Sequence, residues 1–268
     1  MTDKFCAEFR FYAELNDFLP FDKRQLSFQH YFSGKPSVKD TIEAIGIPHP
    51  EVDLILVNGN SVDFNYLLKS GDKISVYPVF ESFDIGKVSL LRKGHLQDFK
   101  FVLDVHLGRL AKYLRMLGFD TLYRNDYQDE EIIELALIEN RIIITRDIGL
   151  LKNKRVTRGY WLRHTQSKKQ LAEIMKRFDL QIKMQPFKRC LVCNNELFAI
   201  SKEKIINKLL PKTKENYEKF SCCCGCKKIY WKGSHYQHMQ NFLSAFACHS
   251  MDESRNDSDA LKVMKILR

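Results

Sequence analysis

Six of the eight cysteines crowd between residues 190 and 226, and four of them form two C-x-x-C pairs, Cys190 with Cys193 and Cys223 with Cys226. Each short turn presents two sulfurs, so two such knuckles meet the needs of one tetrahedral, four-thiolate Zn²⁺ site. With all four positions filled by protein, the metal is structural and nothing is left open for catalysis. A redox dithiol is the competing reading, although a thioredoxin-like context is missing. A disulfide frame suits a short secreted chain better than this one. Cys222 and Cys224 have the wrong spacing and read as bystanders, and His235 and His238 read as surface or RNA-contact residues beside a complete cysteine set.

A second group is made of carboxylates. Asp104 follows the run FKFVL, Asp147 follows IIITR, and Asp129 opens DEEII. Three acids brought together without a lysine among them repel one another, a cost that a bound Mg²⁺ or Mn²⁺ removes. Oxygen-only sites of this kind can activate water and stabilise the charge that develops in phosphodiester cleavage. That is nuclease chemistry. Simpler roles exist for each acid. Asp129 can cap a helix whose first turn also holds Glu130 and Glu131, and an Asp at a strand end can cap the helix that follows.

The elements that must position these acids can be read from periodicity. Residues 99–104 form a strand. Leu107, Leu110, Ala111, Leu114 and Leu117 then recur on one helical face, and Gly118 supplies the stop. A short strand over 119–123, a helix over 130–139 with Ile133 and Leu137 on one face, and an apolar strand over 142–145 continue the pattern. Residues 160–162 add a strand, and Leu171, Ile174, Met175 and Phe178 mark another amphipathic helix. Alternation of this kind predicts a parallel sheet with helices on both faces and ligands gathered beyond the carboxyl ends of its strands. Asp104 and Asp147 fall on that edge, and a helix beginning at Asp129 opens on it too. Nearer the N-terminus the order is a strand over 6–12, a capped helix over 37–45, and strands over 54–57 and 73–77. Turns at Asn58-Gly59 and Ser70-Gly71-Asp72 punctuate them.

The 268 residues, 44% of them hydrophobic and 28% charged, predict an ordered protein of two domains or one plus a small module. No apolar run approaches the ~18 residues of a membrane span, and the charged start MTDKFCAEFRF does not read as a signal peptide, so a cytoplasmic protein without membrane contact is expected. Charge divides the chain. Residues 1–85 hold 8 Lys and Arg against 13 Asp and Glu, whereas residues 86–268 hold 35 against 20. A basic excess confined to one part suits a polyanion such as RNA, or else a solvated basic surface. The strip over 150–189 carries 12 basic residues against 2 acidic ones, with Tyr160, Trp161 and His164 interleaved. That mixture suits unpaired bases, although a solvated helix face explains Lys168, Lys169, Lys176 and Arg177 equally well.

Two resemblances sharpen the reading. The segment VNGNSVDFNYLLKSGDKISVYPVF resembles the β-grasp, ubiquitin-like domains related to sulfur carriers. Because the chain continues through Pro78-Val79-Phe80-Glu81 without a free Gly-Gly end, docking of a protein partner is expected rather than carrier chemistry. The segment FVLDVHLGRLAKYLRMLGFDTLYRNDYQDEEIIELALIENRIIITRD resembles the Mut-seven C-terminal RNase-like family, relatives of PIN-domain ribonucleases, and Tyr230 to His235 is similar to that family's zinc-ribbon ending. The resemblance implies a PIN-like α/β fold and a catalytic metal site at Asp104, Asp129 and Asp147. It also makes Arg109, Arg115 and Arg146 candidates for phosphate contact. Many relatives carry a fourth acid just after the third. Here Ile148 to Lys152 offers none, and Asp126 or Glu130 is left for that place. The expected layout is a ubiquitin-like β-grasp domain over 1–85, a linker over 86–98, a PIN-like domain over 99–185, a zinc ribbon over 186–240 and a tail over 241–268, frayed from Met251. The expected function is metal-dependent hydrolysis of RNA. The alternative is a non-catalytic RNA-binding or adaptor protein using the ribbon and the basic strip.

Overall fold

Alternation in FCAEFRF turns Ala7, Phe9 and Phe11 to one side of a strand, β1 (Phe5–Phe11), where all three are buried. The computed structural model describes residues 4–78, 89–91 and 99–253, with side chains to residue 243. β1 pairs antiparallel with β2 (Ser27–Phe32), an exposed strand absent from the sequence-based expectation. Helix α1 (Val38–Ile45) starts where the Ser37 hydroxyl accepts from Asp40 N at 3.0 Å. Strands β3 (Val52–Val57), β4 (Asn60–Ser61) and β5 (Lys73–Pro78) complete a sheet of order β2-β1-β5-β3-β4, in which only the β1–β5 pair is parallel. The β3–β4 turn puts both Asn58 and Gly59 at positive φ (51° and 84°), as a tight hairpin requires. Within the expected linker, Ser89 is buried and its hydroxyl donates to Asp53 O, while Leu91 packs on the N-terminal core. The rest of 86–98 lies outside the described residues.

The second unit is a four-stranded, wholly parallel sheet of order β7-β6-β8-β9, made of β6 (Lys100–Leu103), β7 (Asp120–Leu122), β8 (Ile142–Thr145) and β9 (Gly159–Trp161). Between them run α2 (Gly108–Met116), α3 (Asp129–Ile138) and the single turn α4 (Ile148–Leu151), and α5 (Ser167–Arg177) follows. Phe101, Leu103, Ile142 and Ile144 face α2 and α5, whereas Val102 and Ile143 face α3 and α4, so helices cover both faces. One expectation fails. Leu137 is 41% exposed, and the buried stripe of α3 is Ile132, Ile133 and Ala136. At 3.6 residues per turn Leu137 lies roughly a quarter-turn off that stripe.

Gly118 ends α2 as expected. Its N–H reaches Arg115 O and the N–H of Phe119 reaches Leu114 O, both at 3.0 Å, the paired bonds of a Schellman motif. Gly118 has φ +96°, and a Cβ there would run into the backbone carbonyl of Gln185, whose own N–H holds Leu117 O at 2.9 Å. Gly118→Ala is therefore expected to cost about 3 kcal/mol, combining left-handed strain with a backbone clash. Urea unfolding checks it through a lower midpoint at unchanged slope.

The third unit is an antiparallel sheet of order β10-β11-β12: β10 (Leu197–Ile200), β11 (Phe220–Cys223) and β12 (Ile229–Trp231), with α6 (Pro211–Asn216) inserted before β11. Helix α7 (Ser234–Glu253) then returns to the parallel sheet, where Phe242 stacks on Tyr113 with ring centroids 4.9 Å apart. Residues 241–253, expected as a tail, continue α7, and Phe242 and Leu243 pack against the core. Residues 254–268 lie outside the described set. Among the described residues no helix is long and apolar enough to cross a membrane.

Candidate active edge and metal centre

After β6 the chain steps sideways to β7, then crosses back to lay β8 on the other side of β6. Such a switch opens a crevice beyond the carboxyl ends of the two central strands. Asp104 leaves β6 there and Asp147 leaves β8. Between them is Thr145, fully buried, whose hydroxyl donates to Asp104 Oδ2 at 2.7 Å and accepts from Asp147 N at 2.8 Å. Val105 N fixes the other Asp104 oxygen at 2.6 Å. Asp147 caps α4, its Oδ1 accepting from Gly149 N at 2.6 Å, so the simple capping role is real for this acid but uses one oxygen.

Asp129 is not spent in that way. The N-cap of α3 is Gln128, whose backbone N donates to Glu131 Oε2 at 3.0 Å in a capping box, leaving Asp129 exposed at the first helical position. Partial desolvation, followed by the charges of Asp147, Asp104 and Glu130, raises the Asp129 carboxyl above its ordinary value. The three acids therefore share one electrostatic neighbourhood. They do not share a closed coordination sphere, since among the described residues only the four cysteines bring three or more ligand atoms within 4.8 Å of one another. Neither candidate for a fourth acid is free: Arg124 holds Asp126 at 2.9 Å, and Arg155 holds Glu130 at 2.9 Å.

Arg109 and Arg146 are exposed, and neither guanidinium has a partner among the described residues. Arg115 corrects the expectation. It is 3% exposed and donates to the carbonyls of Thr121 (2.9 Å), Val192 (2.9 Å) and Leu191 (3.3 Å), so its guanidinium is committed to backbone and closed to phosphate. Two positioning residues escaped notice in the sequence. Tyr123 OH donates to Val105 O at 2.8 Å, bracing the Asp104 turn, and a Cβ at Gly108 would stand 2.7 Å from that hydroxyl. Thr145 was visible only as part of T-R-D, because nothing in a hydroxyl's spacing reveals that it will bridge two strand ends.

The cysteine site forms as the spacing predicts. Cys190, Cys193, Cys223 and Cys226 lie within 4.8 Å of one another, with Cys193 Sγ 3.2 Å from Cys223 Sγ and Cys190 Sγ 3.5 Å from Cys226 Sγ. This group could hold a metal ion. Burial pushes the Cys223 thiol up to about 12, whereas at Cys193 the hydrogen bonds of Asn195 outweigh burial and bring the thiol to about 5. Cys222 is buried and Cys224 exposed, both outside the cluster.

The first knuckle is bolted to the sheet edge. Asn194 accepts from Thr121 N at 2.9 Å, pairing an edge-strand donor of β7, and donates to Asp120 Oδ1 at 2.8 Å. Asp120 also meets Arg141 at 2.6 Å and Arg189 at 3.4 Å. Burial alone would raise the Asp120 carboxyl, but Arg141, Asn194 and Arg189 outweigh it and hold it below the ordinary range. Its stabilisation is thus complete above the unfolded carboxyl value of about 4 and is lost as pH falls through the lower folded value. Asp120→Asn removes one of the two carboxylates on Arg141, which is 4% exposed and keeps Glu139, and takes the counter-charge from Arg189. The expected loss is about 3 kcal/mol near pH 7, shrinking towards zero in acid, as melting curves across pH will register.

The basic strip is used differently from expectation. Tyr160 is 4% exposed, Trp161 packs on Phe18 of the N-terminal domain, and Arg163 binds Asp17 at 3.1 Å. His164 is held by Glu173 at 2.8 Å. These side chains serve the junction of the two domains or the domain's own packing, which closes Tyr160 to base stacking. Lys168, Lys169 and Lys176 remain on a solvated face.

A parallel α/β domain with acids at the ends of its central strands, flanked by a sheet domain and a four-cysteine ribbon that could hold a metal ion, has the form of a nuclease-like protein. The chain belongs to the Mut7-C RNAse domain family, whose model matches residues 99–243, and the Mut7-C ubiquitin model matches residues 5–84. No curated protein and no solved structure matches it.

Proposed function

We propose that the chain is a metal-dependent ribonuclease whose catalytic edge is Asp104, Asp129 and Asp147. The observation that carries this reading is the placing of Asp104 and Asp147 at the ends of two adjacent strands with Asp129 close by, its carboxyl raised first by partial desolvation and then by the charges of Asp147, Asp104 and Glu130. An all-oxygen donor set under such repulsion fits Mg²⁺ or Mn²⁺. The spread of the three acids fits an ion that keeps several of its waters and takes one or two carboxylates directly. When bound, the ion supplies positive charge to the phosphodiester as it is cleaved. The chain's own residues do the rest. Thr145 and Val105 N orient Asp104, the α4 cap orients Asp147, and Arg109 and Arg146, unpartnered among the described residues, offer their guanidinia to flanking phosphates. The PIN-like assignment, with the β-grasp domain over 1–85 and ribbon over 186–240, belongs to the same reading.

The four cysteines hold Zn²⁺ in a structural role, and a reducing, cytoplasmic setting suits their thiolates. RNA is the substrate and partner of the basic part; a protein partner is assigned to the ubiquitin-like domain. The second reading, a non-catalytic RNA-binding adaptor, is favoured by the separation of the three carboxylates. Incubating labelled single-stranded RNA with the protein in Mn²⁺, and again after chelation and Mn²⁺ re-addition, separates the two. Cleavage that stops and resumes supports the enzyme; RNA retention without any cleavage supports the adaptor.

A further inference from the structure

The N-terminal domain grips the chain at two places after the Asp147 turn. Downstream of α4, Lys152 Nζ donates to Glu43 O at 2.8 Å and His49 Nε2 lies 2.6 Å from Val156 O. At the end of β9, Trp161 N donates to Glu51 Oε1 at 2.5 Å, and Glu51 is fully buried. Arg163 adds Asp17 and the Glu14 carbonyl, at 3.1 and 3.4 Å, and lies 3.7 Å from Glu51 Oε2. An acid residue buried without solvent has value only while its partners stay in place, so this junction is built to persist.

Trp161 links that junction to the acids. Its backbone pairs with Thr145 in the β8–β9 ladder, and its indole Nε1 donates to Arg146 O at 3.1 Å. The ring lies 5.0 Å from Phe18 of the N-terminal domain. The carbonyl so held sits between Thr145, which orients Asp104, and Asp147. We infer that Trp161 is a positioning residue through which the docked N-terminal domain sets the geometry of the acid edge, making that domain a working part of the catalytic unit. The inference rests on the ribonuclease reading, and its mechanism is ordinary: a side chain fixed on two sides restricts the turn that carries a metal-binding acid.

The test uses the full-length chain with Trp161→Phe, which keeps the ring and removes the N–H, and Phe18→Ala, which removes the support from the other domain. Expected in both is a drop in kcat of about tenfold, the worth of one good hydrogen bond. The Mn²⁺ half-saturation should rise, with KM for RNA unchanged, and melting of Trp161→Phe should stay near wild type. Mn²⁺ binding followed by electron paramagnetic resonance gives a readout independent of cleavage, and weaker binding in both variants is expected. Unchanged Mn²⁺ affinity and kcat in folded Trp161→Phe would overturn the inference. Wild type that binds Mn²⁺ but does not cleave RNA would sink the ribonuclease reading alone, and the affinity shift would still decide on Trp161. Wild type that binds no Mn²⁺ would overturn both.

Discussion

Asp104→Asn is expected to lower the rate of RNA cleavage by about a thousandfold, corresponding to roughly 4 kcal/mol of lost transition-state stabilisation. The substitution is nearly isosteric and the fold has reason to survive it. Asp104 follows β6 rather than lying within it, and its oxygen partners are one hydroxyl and one backbone N–H. An amide oxygen still accepts from Val105 N, so melting should move by no more than about 1 kcal/mol-equivalent. What is lost is one of the negative charges on which the proposed cation site relies. The loss should fall on kcat at saturating RNA, because Arg109 and Arg146, the proposed phosphate contacts, are untouched. Thr145→Val offers a graded control: it leaves every charge in place but frees Asp104 from the hydroxyl that orients it, so a smaller loss is expected.

Cys193→Ser, or removal of the ribbon metal by a chelator, is expected to be the most damaging change to the fold. Structural Zn²⁺ sites supply on the order of 10 kcal/mol to the segments they organise. Here the segment is also wired into the α/β domain. Arg115 donates to Leu191 O and Val192 O within the first knuckle, and Asn194 pairs with the β7 edge. Loss of the knuckle strands a buried guanidinium and an edge-strand N–H, so destabilisation spreads beyond the ribbon. Metal content should fall from about one equivalent to near none, with melting lowered by about 20 °C. Limited proteolysis should open between residues 186 and 233 first. Cys224→Ser, outside the cluster, should change neither.

Much of this architecture could be read from spacing. The parallel α/β order followed from apolar periodicity, and all five apolar positions chosen for α2 are buried. The two C-x-x-C pairs converge because short-range covalent spacing fixes each pair, and only the meeting of the pairs depends on the fold. Other features were invisible for physical reasons. Strand β2 lies at the sheet edge with alternating half-buried residues, and so lacks the apolar run that marks a strand. Arg115 lies on the same helix as Arg109, yet one faces the ribbon and the other solvent, a difference decided by residues some 75 positions away in the chain. The basic strip misled because a charge run reveals surplus and not its partner. Trp161 and Arg163 met the N-terminal domain at Phe18 and Asp17, while Tyr160 and His164 turned to Phe178 and Glu173 of their own domain.

RNA cleavage at the β6–β8 edge is proposed to depend on a cation gathered by Asp104, Asp129 and Asp147. The most direct test of this dependence is one assay of Mn²⁺-dependent cleavage of labelled RNA by wild type, Asp104→Asn, Asp129→Asn and Asp147→Asn, at equal folded concentration verified by circular dichroism. Cleavage by wild type and a loss of at least about a hundredfold in each variant are expected. Cleavage at the wild-type rate in any one of the three, or none by the wild type itself, would contradict the proposal.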